Sequence, residues 1–260
     1  MDLGVIGVGN IAAALLTGLA TGPNPPGRVL LSPRNATQAA ALAERFPNMR
    51  VATGNQAVLD GSAMVILAVR PQMARAVLAP LRFRPDHRIL SLIAIHPVGR
   101  LAPLVAPATR IARALPLPPV ARHQGPLAYS PPDPDLAVFF AGLGSPIPVA
   151  DDRVFETLWS CSAMIATTYR LVAETAAWAT AQGVPRDAAA RYAATMTHAI
   201  AQPLAIADAD PASLAALAQT PGGLNAQVLD DLTAAGQFTA IRAALDRVRA
   251  RLDAQAASDG

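Results

Sequence analysis

Three short stretches of this chain hold residues whose types and spacing suit work on a bound anion. Gly7-Val8-Gly9-Asn10-Ile11-Ala12 follows the apolar run Leu3-Gly4-Val5-Ile6 and opens a helix-like stretch. That is the strand-to-helix context in which a G-x-G-x-x-[GA] run cradles a dinucleotide. Gly7 makes the tight turn, Gly9 lets the backbone approach a pyrophosphate, and Ala12 lets the helix pack on the strand. The helix N-terminus, beginning with Asn10 and Ile11, then faces the phosphates. An ordinary glycine turn in some other strand–helix unit is the bland alternative. The second stretch, Ser32-Pro33-Arg34-Asn35, ends the next strand, at residues 28–31, where a carboxylate would read the ribose of NAD. No carboxylate stands there. Ser32, Arg34 and Asn35 offer donors and a fixed positive charge that suit a 2′-phosphate, which favours NADP (NADPH) unless Arg34 is only a solvated surface arginine. In the third stretch, Thr220-Pro221-Gly222-Gly223-Leu224-Asn225, Pro-Gly-Gly alone reads as a turn. Residues 224–232 read as a helix, however, so the Gly222 and Gly223 amides stand at its N-terminus, a seat for a carboxylate.

Two kinds of architecture must position these stretches. Through residues 1–150, strand-like and helix-like segments alternate: a helix at 36–46, a strand at 50–52, a short helical turn at 55–59 and a buried strand at 63–69. The last of these ends in Arg70-Pro71-Gln72, where the proline stops the ladder. Further strands are expected at 88–95 and 109–115, with short additions at 127–129 and 146–149. This predicts an α/β, Rossmann-type dinucleotide-binding domain with its ligand loops at the carboxyl ends of the strands. From 151 to 254 no strand pattern remains, and apolar residues recur at helical spacing through 154–182, 186–206 and 237–252. Asp151 and Asp152 suit the start of the first of these helices, and Gly183 and Pro185 punctuate its end. Residues 151–260 are therefore expected to form an all-helical domain. Its first helix carries Met164, Ile165, Tyr169, Leu171, Val172 and Trp178 on more than one face, too apolar to stand alone, which predicts burial by a partner subunit.

Composition narrows the function classes. Hydrophobic residues make up 52%, yet no apolar run approaches the roughly 18 to 20 residues of a membrane span. No basic segment precedes the first strand, so no signal peptide is read and a cytoplasmic protein without a membrane partner is expected. Cys161, the one cysteine, excludes an internal disulfide and a cysteine-based zinc cluster, and reads as a small buried hydrophobe. His87, His96, His123 and His198 show no metal-ligand spacing, so no metal is expected. A net charge of +3 and a pI of about 9.7 raise nucleic acid as a partner. The basic residues are scattered, with only Arg247, Arg249 and Arg251 close together, and aromatics are 4%, too few for stacking platforms. All 21 basic residues are arginines. Reducing a ketone needs a proton for the nascent alkoxide, and here neither a lysine acid nor a lysine Schiff base exists to help.

Taken with their order, these motifs resemble the pyrroline-5-carboxylate reductase family across nearly the whole chain. The family's G-x-G-N-[MI] is similar to Gly7-Val8-Gly9-Asn10-Ile11, and its asparagine before the fourth strand resembles Asn55. Its A-V-K-P-Q resembles Ala68-Val69-Arg70-Pro71-Gln72, its serine-led fifth strand resembles Ser91-Leu92-Ile93-Ala94, and its S-P-G-G-T-T resembles Thr220-Pro221-Gly222-Gly223-Leu224-Asn225. The resemblance implies a Rossmann domain followed by a helical dimerisation domain, each active site completed by the other subunit, and NADPH-dependent reduction of a cyclic C=N bond. It adds Asn55, Ala68, Val69, Arg70, Pro71 and Ala94 to the cofactor side.

The substrate side departs from the family. Leu115-Pro116-Leu117-Pro118-Pro119 stands for M-P-N-T-P, Ile165-Ala166-Thr167-Thr168-Tyr169 stands for S-G-S-G-P, and Asn225 replaces the second threonine of G-G-T-T. The expected substrate is a cyclic imine, 1-pyrroline-5-carboxylate or a relative. An iminium ion already carries its proton, so a lysine-free site suits it. Gly222, Gly223 and Asn225 are expected to hold a carboxylate or ring nitrogen, with Leu224 beside them. Thr167, Thr168 and Tyr169 either line the pocket or pack core or interface. His96, directly after the fifth strand, is placed to protonate an intermediate or serves structure; His123 approaches the substrate or is exposed; Trp178 reads as dimer core. Two other functions stay open: a cofactor-binding regulator or scaffold that has lost catalysis, and a carbonyl-directed dehydrogenase.

Overall fold

A computed structural model describes residues 2–206 and 209–258, without the side chains of 256–258. It divides into two compact units, Met1–Trp159 with Leu252–Gly260, and Ser160–Arg251. The first unit therefore runs past the expected boundary at 150.

The first unit is built on one sheet. Its strands are β1 (Asp2–Ile6), β2 (Arg28–Leu31), β3 (Met49–Val51), β4 (Met64–Leu67), β5 (Arg88–Ser91), β6 (Arg110–Pro116), β7 (Pro126–Ser130) and β8 (Ser145–Pro148), in the order β3-β2-β1-β4-β5-β6-β7-β8. The first six strands are parallel, with Val5 in register with Leu31 on one side and Ile66 on the other; β7 runs antiparallel to β6, and β8 pairs parallel to β7. β4 reads Met-Val-Ile-Leu and all four residues are buried, as a strand covered on both faces must be. One face packs on α1 (Asn10–Thr21), α2 (Ala36–Arg45) and α6 (Pro134–Phe140), through Leu15, Leu16, Leu42 and Phe140. The other packs on α3 (Asn55–Asp60), α4 (Ala74–Leu78) and α5 (Val98–Val105), through Val58, Leu78, Leu101 and Val105. The strand order reverses between β1 and β4, which opens a crevice at their carboxyl ends.

Three expectations change here. The fifth strand stops at Ser91 rather than at residue 95, because Ile93 N–H turns back to Ser91 Oγ at 3.1 Å and Ile95 takes a left-handed φ of 64°. The expected helix over 154–182 is two helices, α7 (Asp152–Cys161) and α8 (Met164–Ala181), separated by tight turns in which Ala163 N–H donates to Ser160 O and Ile165 N–H to Ser162 O. Helix α7 packs on the sheet, with Phe155 fully buried against Ala128 and Val149, which is why the first unit extends to Trp159. Cys161 is exposed in the chain, not a buried hydrophobe.

The second unit holds α8, α9 (Arg186–Ala201), α10 (Pro211–Leu217), α11 (Leu224–Ala234) and most of α12 (Gln237–Ser258). The last helix runs past the expected end at 252, and the pattern over 186–206 closes with a 3-10 turn at Gln202–Ala205. Neither α8 nor α11 buries a single residue within the chain, and Trp178 of α8 is 68% exposed. Among the described residues no helix is long and apolar enough to cross a membrane.

Candidate active site

The β1–α1 turn has the geometry an anion needs. Gly7 sits at φ 94°, and a Cβ there would meet the Ala68 carbonyl oxygen at 2.6 Å, so a side chain is excluded both by conformation and by space. Its N–H donates to Ser32 Oγ at 2.9 Å. Asn35 reaches across from the β2 side and donates Nδ2 to Val8 O at 2.9 Å. Two loops distant in sequence are thereby tied into one rim. Helix α1 starts at Asn10 with Gly9 as a cap that has no side chain, and its first turn has no acidic residue, so its free amides and dipole present positive potential to the crevice. A Cβ on Gly9 would meet nothing within 4 Å, which leaves open the space a pyrophosphate would fill.

These contacts revise two sequence expectations. Ser32 is 1% exposed and accepts from Gly7, so its first role is to hold the turn. Asn35 likewise spends an amide hydrogen on Val8. Arg34 is exposed and forms no ion pair among the described residues, which leaves its guanidinium available at the end of β2. Ala68 and Val69 follow the last residue of β4, Arg70 precedes the 3-10 turn Pro71–Met73, and Asn55 opens α3. Ala94 lies in the loop after β5. The sheet thus brings Asn10, Arg34, Asn55, Ala68, Val69, Arg70, Pro71 and Ala94 to one edge, the carboxyl ends of its parallel strands. Glycine-lined space, uncapped amides, a free guanidinium and no carboxylate at the end of β2 together fit an NADP-type dinucleotide.

A cavity of about 1120 Å³ lies beyond this edge, lined by Pro71, Gln72, Arg75, Ile95, His96 and Arg100 among others. Its walls do not include Gly7 or Gly9, so it adjoins the dinucleotide crevice rather than forming it. His96 stands five positions past the end of β5, with Nδ1 3.2 Å from Ala94 O. His123 is removed from this edge: Nε2 donates to the carbonyl of Gly18 at 3.0 Å and lies 3.1 Å from Thr21 Oγ1, closing the far end of α1. It caps a helix instead of approaching a substrate.

In the second unit the third motif folds as a tight turn. Gly223 donates its N–H to Thr220 O at 2.7 Å and precedes Leu224, the first residue of α11. The Gly223 amide is therefore already spent, contrary to the expectation that both glycine amides are free. Asn225 donates Nδ2 to Ala218 O at 2.9 Å, which orients its carboxamide and leaves Oδ1 as an acceptor. Gly223 supplies no side-chain cap, so the first-turn amides of α11 remain available. On α8, Thr168 Oγ1 donates back to Met164 O at 3.0 Å, Thr167 is half-buried, and Tyr169 is 71% exposed.

The sequence reading passed over Arg113. Its side chain is 1% exposed, inside β6, and pairs with Asp152 Oδ1 at 2.7 Å and Glu156 Oε1 at 3.5 Å. A lone arginine in the apolar run Ile111-Ala112-Arg113-Ala114-Leu115 was the available signal, since a buried charge requires a partner.

Comparison with known proteins agrees with this geometry. Residues 2–95 match the family model described as NADP oxidoreductase coenzyme F420-dependent, and residues 157–254 match pyrroline-5-carboxylate reductase dimerisation. The pyrroline-5-carboxylate reductase of Escherichia coli strain K12 is 24% identical over 255 residues, covering 94% of each chain. That of Pseudomonas aeruginosa is 33% identical over 123 residues, 46% of this chain and 44% of the relative. The crystal structure of the Streptococcus pyogenes enzyme superposes with a TM-score of 0.83 at 23% identity, covering 98% of both chains. The fold, the dinucleotide crevice and the match of residues 2–95 fit an NADP-dependent oxidoreductase. The chain is thus similar to pyrroline-5-carboxylate reductases along nearly its whole length.

Proposed function

We propose that this chain is an NADPH-dependent imine reductase that reduces the C=N bond of a cyclic imino acid, 1-pyrroline-5-carboxylate or a related ring, and works as a homodimer or larger assembly. The observation that carries the reading is the start of α11, where a fixed acceptor and unspent helix amides stand side by side. Asn225 Oδ1 accepts the N–H of a protonated imine, while the first-turn amides of α11 take a carboxylate. Bound in the β1–α1 crevice, NADPH supplies the hydride.

The chain's own groups then bind, orient and exclude water. Asn10 and Ile11 begin the helix that faces the pyrophosphate, and Arg34 meets the 2′-phosphate. Residues Ala68, Val69, Arg70, Pro71 and Ala94 form the edge against which the rest of the cofactor lies. Thr167, Thr168 and Tyr169 wall the substrate pocket, with Gly222 and Leu224 at its turn. Hydride arriving at the carbon of a protonated C=N gives a neutral amine directly, so no alkoxide awaits a proton and a chain without lysine loses nothing. Catalysis is then mostly positional, holding the reacting carbon within about 3 to 3.5 Å of the donor.

Following NADPH oxidation with a panel of cyclic imines, with and without a carboxylate, tests the reading. Asn225→Ala is expected to cut turnover about tenfold, the value of one hydrogen bond to a charged group, while NADPH affinity stays within about twofold. Lost affinity with intact turnover would remove Asn225 from the substrate. NADPH binding with no oxidation by any imine would favour a regulator, a reading drawn from the spent Gly223 amide and the altered motifs on α8 and α11.

A further inference from the structure

Arg113 is a buried charge whose carboxylate partner reaches the start of α5. Its Nη1 holds Asp152 Oδ1 at 2.7 Å, its guanidinium carbon lies 4.6 Å from the centroid of the Phe155 ring, and Nε and Nη2 have no hydrogen-bond partner among the described residues. The charge is therefore directed mainly at Asp152, with Glu156 Oε1 more distant at 3.5 Å. The other oxygen of Asp152, Oδ2, accepts the N–H of Val98 at 3.3 Å. Val98 is the first residue of α5, and Pro97 before it has no polar side chain with which to cap the helix. Asp152, fifty-four positions further along the sequence and on another helix, thus does the capping, and Arg113 fixes the carboxylate that does it.

What α5 begins is also where the loop from β5 ends. That loop, 92–97, contains Ile95 at φ 64°, a conformation unfavourable for a β-branched residue, and it leaves the carboxyl end of β5 next to β4. A strained loop persists only where its ends are fixed. One end is fixed by Ile93 N–H on Ser91 Oγ at 3.1 Å, and the other by Val98 N–H on Asp152.

We propose that Arg113 and Asp152 are positioning residues that, by capping α5, set the 92–97 loop and with it the affinity for the nicotinamide half of NADPH. The inference rests on the NADPH part of the function proposed above and not on the imine. NADPH affinity by fluorescence titration, with no substrate present, therefore separates its failure from failure of the imine reading.

Val98→Pro is the cleanest variant. It deletes the donor at a helix position that accepts proline, and Pro97 already has the extended ψ of 162° that a following proline demands. The Arg113–Asp152 pair stays intact. NADPH should bind about tenfold more weakly, and amide exchange over 92–96 should accelerate. Asp152→Asn should do the same, while Glu156→Gln, which leaves the cap in place, should stay within about twofold and leave exchange in the loop unchanged. Folded Val98→Pro with wild-type NADPH affinity and exchange would overturn the proposal. So would Glu156→Gln weakening NADPH as much as Val98→Pro, since that result marks a general loss of core stability.

Discussion

The two units differ in where their apolar surface goes. In the first, the central parallel strands are covered by helices on both faces, and residues such as Leu3, Val5, Ile6, Leu67 and Leu90 have no measurable exposure. In the second, the buried hydrophobic side chains among the described residues are Ala189 and Ala193 of α9, whereas Tyr169, Trp178, Tyr192 and Ile200 are each more than 60% exposed. One unit satisfies its own hydrophobic demand and the other exports it. The exposed apolar face of the helical unit is in keeping with the match of residues 157–254 to a dimerisation family.

The sharpest way to break this contrast is to place charge on the exporting unit. Trp178→Glu should dissociate the assembly, read as a halved or smaller mass in sedimentation, and reduce turnover by about a hundredfold or more, because an unpaired carboxylate would have to be buried. NADPH affinity should survive. If mass and turnover are both unchanged, that face is not an interface. Gly7→Val attacks the self-sufficient unit instead. Its Cβ would collide with the Ala68 carbonyl in a left-handed turn, and NADPH affinity should fall at least about thirtyfold while the assembly persists. Arg34→Ala sharpens the cofactor reading: affinity for NADPH should drop about tenfold and affinity for NADH hardly move, whereas equal losses would remove the 2′-phosphate contact.

The smallest effect concerns pH. His87 is buried, accepts the Arg84 N–H on Nδ1 at 3.0 Å and donates Nε2 to Leu59 O at 3.1 Å, and burial, aided by the nearby Arg84 charge, holds its pKa below 6.5. The folded form therefore binds a proton less readily than the unfolded form. Its stabilisation is fully present above the unfolded pKa of about 6.5 and is lost as pH falls through the lower folded value. Thermal unfolding of the first unit should shift down by a few degrees on acidification below about pH 6.5, and His87→Gln should flatten that slope. An unchanged slope in the variant would show that other groups set it.

The contrast also explains what could be read from sequence. The glycine turn, the β2 terminus and the alternation of strands and helices are local patterns, and Gly7, Asn10, Arg34 and the strands through β4 lie where periodicity and turn chemistry put them. Boundaries failed where a tertiary contact decided. β5 ends early because Ile95 is held in a strained turn, and the long helix breaks after α7 because Phe155 and Arg113 keep that segment on the sheet. Hydrogen-bond accounting was equally hidden: that Ser32 holds Gly7, that Gly223 serves its own turn, and that His123 serves α1 are facts of geometry with no signature in residue order.

The cap that His123 places on α1 reaches back over more than one hundred residues of chain, and Val120 and Leu127 join Leu15, Leu16 and Leu19 in the same cluster. The helix that offers its leading end to phosphate is consequently finished by residues synthesised well after the nucleotide motif itself. A protein cut after residue 95, at the edge of the matched N-terminal segment, would retain every glycine of that motif and still present a greasy, unsealed rod in place of a working cradle.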